Sequence, residues 1–334
     1  VGFSFATEIK RASQPTISPD GETLVFSWQN DLWRVPSKGG QAVRLTVHPA
    51  NDGSPRWSPD GETIAFTSNR YGSPDVYTMQ PDGTDLRRIT FDSASEVIFG
   101  FSPDSKCILG HTNAWGRMNL FSVNAQGGDL IQLTNHVFEL QFYPSVSPNG
   151  QKIAYCGGGS PSNWRNPNER GTDTSEIWIG TFGAPVTDHR KLTNNENNDS
   201  FPLYTPDGSI VFMSNRGGSP NLWRMTGEGS SPKQLTKHDG GTLRWPAISS
   251  NGAKIVYEYD SEIWLFDLAT GANHVVKIEV PEDSNLNPIQ DLTLTSGATE
   301  YVASPDGKRA VVGVRGDLFL IPERGGTTRK LATS

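Results

Sequence analysis

The sequence predicts an all-β protein, a β-propeller of four-stranded blades, and three observations predict it. An acidic or amide residue, an aliphatic residue and an aromatic residue follow one another seven times: Asp31-Leu32-Trp33, Asp75-Val76-Tyr77, Asn119-Leu120-Phe121, Glu176-Ile177-Trp178, Asn221-Leu222-Trp223, Glu262-Ile263-Trp264 and Asp317-Leu318-Phe319. Their aromatic residues are 44, 44, 57, 45, 41 and 55 residues apart. A period near that length, with one strand-forming triplet per unit, marks a repeat architecture. Each unit also opens on a tight-turn signal of the Ser-Pro-Asp-Gly kind, as in Ser18-Pro19-Asp20-Gly21 and Ser304-Pro305-Asp306-Gly307.

The second unit shows the plan of one blade. Ser54-Pro55-Arg56-Trp57 leads through Ser58-Pro59-Asp60-Gly61 into Thr63-Ile64-Ala65-Phe66-Thr67, then Asp75-Val76-Tyr77-Thr78-Met79, a turn at Asp82-Gly83, and Arg87-Arg88-Ile89-Thr90. These are four short strands joined by hairpins, because Asp-Gly supplies the positive φ that a tight hairpin needs. The opening turn recurs at Ser102-Pro103-Asp104-Ser105, Ser147-Pro148-Asn149-Gly150, Thr205-Pro206-Asp207-Gly208 and Ser249-Ser250-Asn251-Gly252. Five units close on Leu-Thr or Ile-Thr, namely at Thr46, Thr90, Thr134, Thr193 and Thr236; the sixth lacks that ending and the seventh has Leu331-Ala332. One such sheet cannot bury both faces alone, so neighbours must stack around a ring. The third-strand aromatic is placed to fill the wedge between blades, where each buried ring contributes about 1.5–3 kcal/mol.

Departures from the period locate the loops suited to binding. From the opening turn to the third-strand aromatic the interval is 13 residues in units one, six and seven, 16 or 17 in units two, three and five, and 29 in unit four. The insertion, 157–175, carries Trp164, Arg165, Glu169 and Arg170 among glycines, prolines and asparagines. Insertions in repeat proteins fall on one rim, often the binding rim. Trp164, Arg165 and Arg170 are therefore the candidate substrate-binding residues, a ring and two guanidinium groups fit to grip a peptide or carboxylate; the competing role for Trp164 is to pin the long loop to its blade. A second departure, from Lys277 to Glu300, is acidic and holds Pro281 and Pro288, as a domain boundary does. The expected organisation is a propeller over 1–278, a linker over 279–296 and a seventh blade-like repeat over 297–334. Two arrangements accommodate it: a six-bladed ring followed by the first blade of a second propeller, or a single seven-bladed ring.

Composition excludes several functions. The net charge of −7 is dispersed, without the basic stripe of a nucleic-acid binder. No apolar run reaches the length of a membrane span. Cys107 and Cys156 fall at different strand positions of neighbouring units, so a disulfide is not expected. A chain that begins at Val1 is expected to be a processed protein or a fragment.

Chemistry is sparse. His48, His136 and His238 each stand two residues after the Thr closure, a position that marks turn structure, and His111, His189 and His274 lack zinc-ligand spacing. Neither a Gly-x-Ser-x-Gly elbow nor a Walker-type loop is present. Asp20, Asp60, Asp104, Asp207 and Asp306 are turn acids. The residues supply no catalytic group, no metal site and no cofactor site; peptides or a protein partner are the expected ligands.

Taken together, the repeats resemble the superfamily of the Tol-system propeller and of the tricorn-type proteases. Asp31-Leu32-Trp33-Arg34-Val35-Pro36 with Gly39-Gly40 is similar to the first blade of the tricorn N-terminal propeller. Trp164-Arg165 through Gly171, leading to Glu176-Ile177-Trp178-Ile179, resembles its fourth-blade loop, although Asn166-Pro167-Asn168-Glu169 departs from the basic pattern there. Arg244-Trp245-Pro246 followed by Glu262-Ile263-Trp264-Leu265 is similar to its sixth blade. Ser304 to Arg309, Arg315 to Phe319 and Ile321-Pro322 resemble the opening of that family's second propeller. The resemblance implies a non-catalytic module of a large serine peptidase, gating or channelling oligopeptides and docking domains that hold the catalytic groups. It also implies homo-oligomers through a longer parent chain and an exported or periplasmic location over a cytoplasmic one. The alternative is a stand-alone TolB-like scaffold that grips a protein partner.

Overall fold

The computed structural model describes residues 6–136, 139–159, 174–281, 298–314, 317–324 and 328–332. Among them all regular structure is β. The chain falls into two compact units, Val1–Asn69 with Ser73–Leu286, and Arg70–Gly72 with Asn287–Ser334.

The first unit holds six four-stranded antiparallel sheets, each wound in chain order from first strand to fourth. The first strands are Ser13–Ile17, Asp52–Trp57, Glu96–Phe101, Gln141–Val146, Asp199–Tyr204 and Leu243–Ile248. Each touches the first strand of the next sheet, and the sixth touches the first, so these strands are the innermost ones and surround an axis. One apolar cluster joins Phe26 and Trp33 of the first sheet to Ala247, Val256 and Leu265 of the sixth. Backbone closes the same seam. Ile278–Pro281 pairs antiparallel with Ala6–Glu8 and parallel with Gly40–Gln41. Gly39 is obligatory there: it sits at φ +89°, and a Cβ would lie 2.4 Å from the Lys277 carbonyl oxygen. The strand thus runs three residues past 278.

The repeated sequence signals have repeated hydrogen bonds. In the opening turn the Ser or Thr hydroxyl donates to the acid or amide two residues on, for example Ser18 to Asp20 (2.5 Å), Ser58 to Asp60 (2.5 Å) and Ser102 to Asp104 (2.6 Å). The same hydroxyl accepts the backbone N–H five residues on, as from Thr23 and Thr63 (2.9 Å each). These bonds hold the Asp20, Asp104 and Asp306 carboxyls below the usual range. The Leu-Thr closure works across strands: the Thr hydroxyl accepts the N–H of the aliphatic residue of the triplet, from Leu32 to Thr46 (2.9 Å), Val76 to Thr90 (2.8 Å) and Leu222 to Thr236 (2.9 Å).

The third-strand aromatics divide. Trp33, Tyr77 and Phe121 are buried as expected, whereas Trp178, Trp223 and Trp264 are only partly buried. The largest fully buried rings in those sheets include Tyr155, Phe212 and Tyr257 of the second strands. Each pairs across the ladder with the third-strand aromatic, Tyr155 with Trp178, Phe212 with Trp223 and Tyr257 with Trp264. In the third sheet that partner is Gly110, because Phe121 turns into the space: a Cβ on Gly110 would lie 2.7 Å from its ring.

The second unit holds one four-stranded sheet, Ala298–Ala303, Arg309–Val314, Asp317–Pro322 and Arg329–Ala332. Its turn repeats the bond from the Ser304 hydroxyl to Asp306 (2.5 Å). Tyr301 and Val302 on its first strand are 80% and 70% exposed.

Candidate functional site

The axis of the first unit is where the innermost strands break their own regularity. In five of them a proline stands three residues before the turn Ser or Thr: Pro15, Pro55, Pro144, Pro202 and Pro246. Proline has no N–H for the ladder, and each strand bulges there, with register shifts between Ser13 and Thr16, Gly53 and Arg56, Phe142 and Ser145, Ser200 and Leu203, and Arg244 and Ala247. The residue ahead of each proline has left-handed backbone: Gln14 (φ 53°), Ser54 (50°), Tyr143 (57°), Phe201 (54°) and Trp245 (54°). For an L-residue with a bulky side chain this costs about 1–2 kcal/mol per position. A bulge re-aims a side chain, and here the rings meet. In the third sheet Phe99 is itself the extra residue, between Ile98 and Gly100.

The aromatic residues come from four sheets and close on one another. Tyr143 stacks on Phe201 with ring centroids 4.0 Å apart, and Phe99 meets Tyr143 edge-on at 4.6 Å. Trp245 lies 5.8 Å from Phe201 and 6.1 Å from Phe99. Phe99 and Trp245 belong to the third and sixth sheets of the first unit, three steps apart in the circuit of touching first strands, so the rings span the axis. Such pairs add about 0.5–1.5 kcal/mol each beyond their burial. On the side of the first two sheets the layer is polar: Gln14 Oε1 accepts the Ser54 N–H at 2.7 Å.

Two buried basic groups border the aromatic layer. Arg56 is 4% exposed; its Nε donates to the Phe99 carbonyl oxygen (3.0 Å), its Nη1 to that of Pro55 (2.7 Å), and its Cζ lies 5.5 Å from the Phe99 ring centroid. Burial pulls this guanidinium down to about 10, which leaves it charged at neutral pH. His111 stacks on Phe99 at 5.1 Å; burial pulls it down to about 3, so it is neutral, and its Nδ1 has no partner among the described residues.

At the turn end of the axis lies a cavity of about 280 Å³. Residues two before the turn Ser or Thr line it from all six sheets: Thr16, Arg56, Gly100, Ser145, Leu203 and Ala247. Prolines of the turns, Pro59, Pro103, Pro148 and Pro206, also line it. Arg56 is the one charged residue of this lining.

The sequence candidates Trp164, Arg165 and Arg170 lie outside the described residues. The histidines after the Thr closure have the turn role expected of them. The backbone N–H groups of His48, His136 and His238 donate to Asp31 (3.2 Å), Asn119 (3.1 Å) and Asn221 (2.7 Å). Both cysteines are free thiols. No grouping of three metal-ligating side chains occurs among the described residues, and no helix long and apolar enough to cross a membrane occurs among them. Sequence reading missed the axial residues, although five aligned X-Pro pairs ahead of the turns were the signal for them.

A family model, the Tricorn protease N-terminal beta propeller domain, matches residues 10–272. The chain belongs to this family. Over 324 residues it is 26% identical to Tricorn protease homolog 1 of Streptomyces coelicolor, an alignment that covers 95% of this chain and 29% of that protein. A crystal structure of the tricorn protease matches 97% of this chain with 31% of its own, at a TM-score of 0.66 and 19% identity. The putative TolB of Agrobacterium tumefaciens matches 70% of this chain and 83% of its own, at 0.56 and 21%. At these identities the two structures establish the fold alone. This tricorn-type propeller domain spans less than a third of the length of the curated homologues it matches.

Proposed function

We propose that this chain is the front part of a tricorn-like serine peptidase, a non-catalytic module that gates oligopeptides along the axis of its ring and docks the domains that carry the chemistry. In this reading residues 1–278 form a six-bladed ring, 279–296 a linker, and 297–334 the opening blade of a second propeller. The family match over 10–272 supports the first assignment. The separate four-stranded sheet over 298–332, with Tyr301 and Val302 exposed on its opposite faces, supports the last, since a lone blade leaves apolar surface that neighbouring blades would cover.

The observation that carries the gating role is the layer of Phe99, Tyr143, Phe201 and Trp245 across the axis. An extended peptide passing through must displace those rings, so the layer is the closed state of a gate and its opening sets the size of what passes. Trp164, Arg165 and Arg170 are assigned to peptide capture on the rim. The test is the double variant Phe201→Ala, Trp245→Ala in the parent polypeptide, assayed with oligopeptides of increasing length. Gating predicts that the length limit for hydrolysis rises while turnover of the shortest peptides is unchanged. An unchanged limit would refute it.

A further inference from the structure

The cavity at the turn end of the axis has a composition that the gating role does not require. Its lining is prolines, aliphatic and aromatic side chains and small hydroxyls, with a single formal charge at Arg56. Arg56 is 96% buried by the measure of its 4% exposure, and it makes no ion pair with a carboxylate among the described residues. Two of its nitrogens are committed to the carbonyls of Phe99 and Pro55. The remaining one, Nη2, has no hydrogen-bond partner among the described residues. Burying a lone cation is costly unless it is paired. A guanidinium presents paired N–H donors that match a carboxylate, and neutral carbonyls compensate only part of its charge.

We propose that this cavity binds the carboxylate of an apolar or aromatic acid, with Arg56 as the anion anchor and the surrounding side chains holding the apolar stem. A volume of about 280 Å³ accommodates an amino-acid-sized group. Phe99 supplies the floor, since Arg56 lies over its ring and donates to its carbonyl. Trp57, whose buried Nε1 also has no partner among the described residues, lines the same cavity. The chemistry is shared by two sources, the C-terminal residue of a short peptide and a small free acid. The site is carried by the cavity alone, whatever reaction the parent polypeptide performs.

Calorimetric titration of the 334-residue chain tests it with three probes: N-acetyl-alanyl-phenylalanine as the free acid, the same compound as its amide, and 3-phenylpropionate. The acid is expected to bind at least about ten-fold more tightly than the amide, from charge-assisted hydrogen bonds that only the carboxylate makes. Arg56→Met is expected to abolish that preference and Arg56→Lys to keep part of it. Gly100→Phe keeps the site readable should Arg56→Met fail to fold. Gly100 lines the cavity, a Cβ there meets nothing within 4 Å, and the new ring would fill the space. It is expected to abolish acid binding with the fold intact by circular dichroism. Equal binding of dipeptide and phenylpropionate would assign the site to small acids, and tighter dipeptide binding would assign it to peptide C-termini; either supports a carboxylate site. Equal affinity for acid and amide, no acid binding at millimolar concentration, or full binding by Gly100→Phe would overturn it.

Discussion

Replacing Phe201 by alanine and by glycine separates the two things that hold the axial layer, the ring and the backbone beneath it. The side chain is 3% exposed and stacks on Tyr143 at 4.0 Å, so truncation to alanine removes buried apolar area and an aromatic pair. A loss of about 3–5 kcal/mol follows, as for other buried aromatic truncations. At an ordinary strand position glycine would be worse than alanine by about 0.5–1 kcal/mol, because it loses more conformational freedom on folding. Phe201 has φ +54°, where a Cβ is strained and glycine is not. The order therefore inverts, and Phe201→Gly should be more stable than Phe201→Ala by about 1 kcal/mol. Urea unfolding followed by tryptophan fluorescence reads the difference. An alanine variant equal to or more stable than the glycine variant would mean that the innermost strand is not left-handed at this position, and the account of how the rings are aimed would fail.

Other consequences are open to similar measurement. Gly110→Ala places a Cβ 2.3 Å from the Val97 carbonyl oxygen and 2.7 Å from the Phe121 ring, and should cost about 1–3 kcal/mol or more in urea unfolding. Thr236→Val removes the acceptor for the Leu222 N–H and the donor to Asn221 (2.8 Å), both buried, for a loss of about 1–3 kcal/mol. His111, held neutral at about 3 when folded, takes up protons more readily when unfolded; its contribution is present above about pH 6.5 and is lost as pH falls towards 3. His111→Leu should flatten the stability profile across that interval. Glu96 has the opposite sign. Burial pushes its carboxyl up to about 8, so the folded state holds a proton that the unfolded chain releases, and stability is lost as pH rises from about 4.5 through 8. Glu96→Gln should be relatively more stable at pH 8 than at pH 4.

The repeats were legible because they are local. Ser-Pro-Asp-Gly encodes a turn whose hydroxyl and carboxyl bond to each other, and Leu-Thr encodes a hydroxyl that accepts a specific N–H, so each signal needs only its own sheet. The division of the third-strand aromatics was not legible. Trp223 and Trp264 are partly buried opposite Phe212 and Tyr257, whereas Trp33 and Tyr77 are buried opposite Phe26 and Phe66, so neither the strand nor its ladder partner decides it and only the packing between sheets can. The axial layer was hidden for a related reason. Phe99, Tyr143, Phe201 and Trp245 lie more than forty residues apart in sequence, and only closure of the ring brings them together. The clue available in the residues was the alignment of Gln14-Pro15, Ser54-Pro55, Tyr143-Pro144, Phe201-Pro202 and Trp245-Pro246 ahead of the turns. A bulky residue before a proline in an inner strand marks a bulge, and bulges are where strands aim side chains.

The intact mass of the native polypeptide from its source, together with the sequence of any region that follows residue 334, tests the module assignment most directly. The account predicts a polypeptide roughly three times the 36.4 kDa of this chain, in keeping with the 29% of Tricorn protease homolog 1 that the chain matches, and a serine-peptidase region downstream. A native polypeptide of about 36.4 kDa would contradict it and make this propeller a free-standing scaffold.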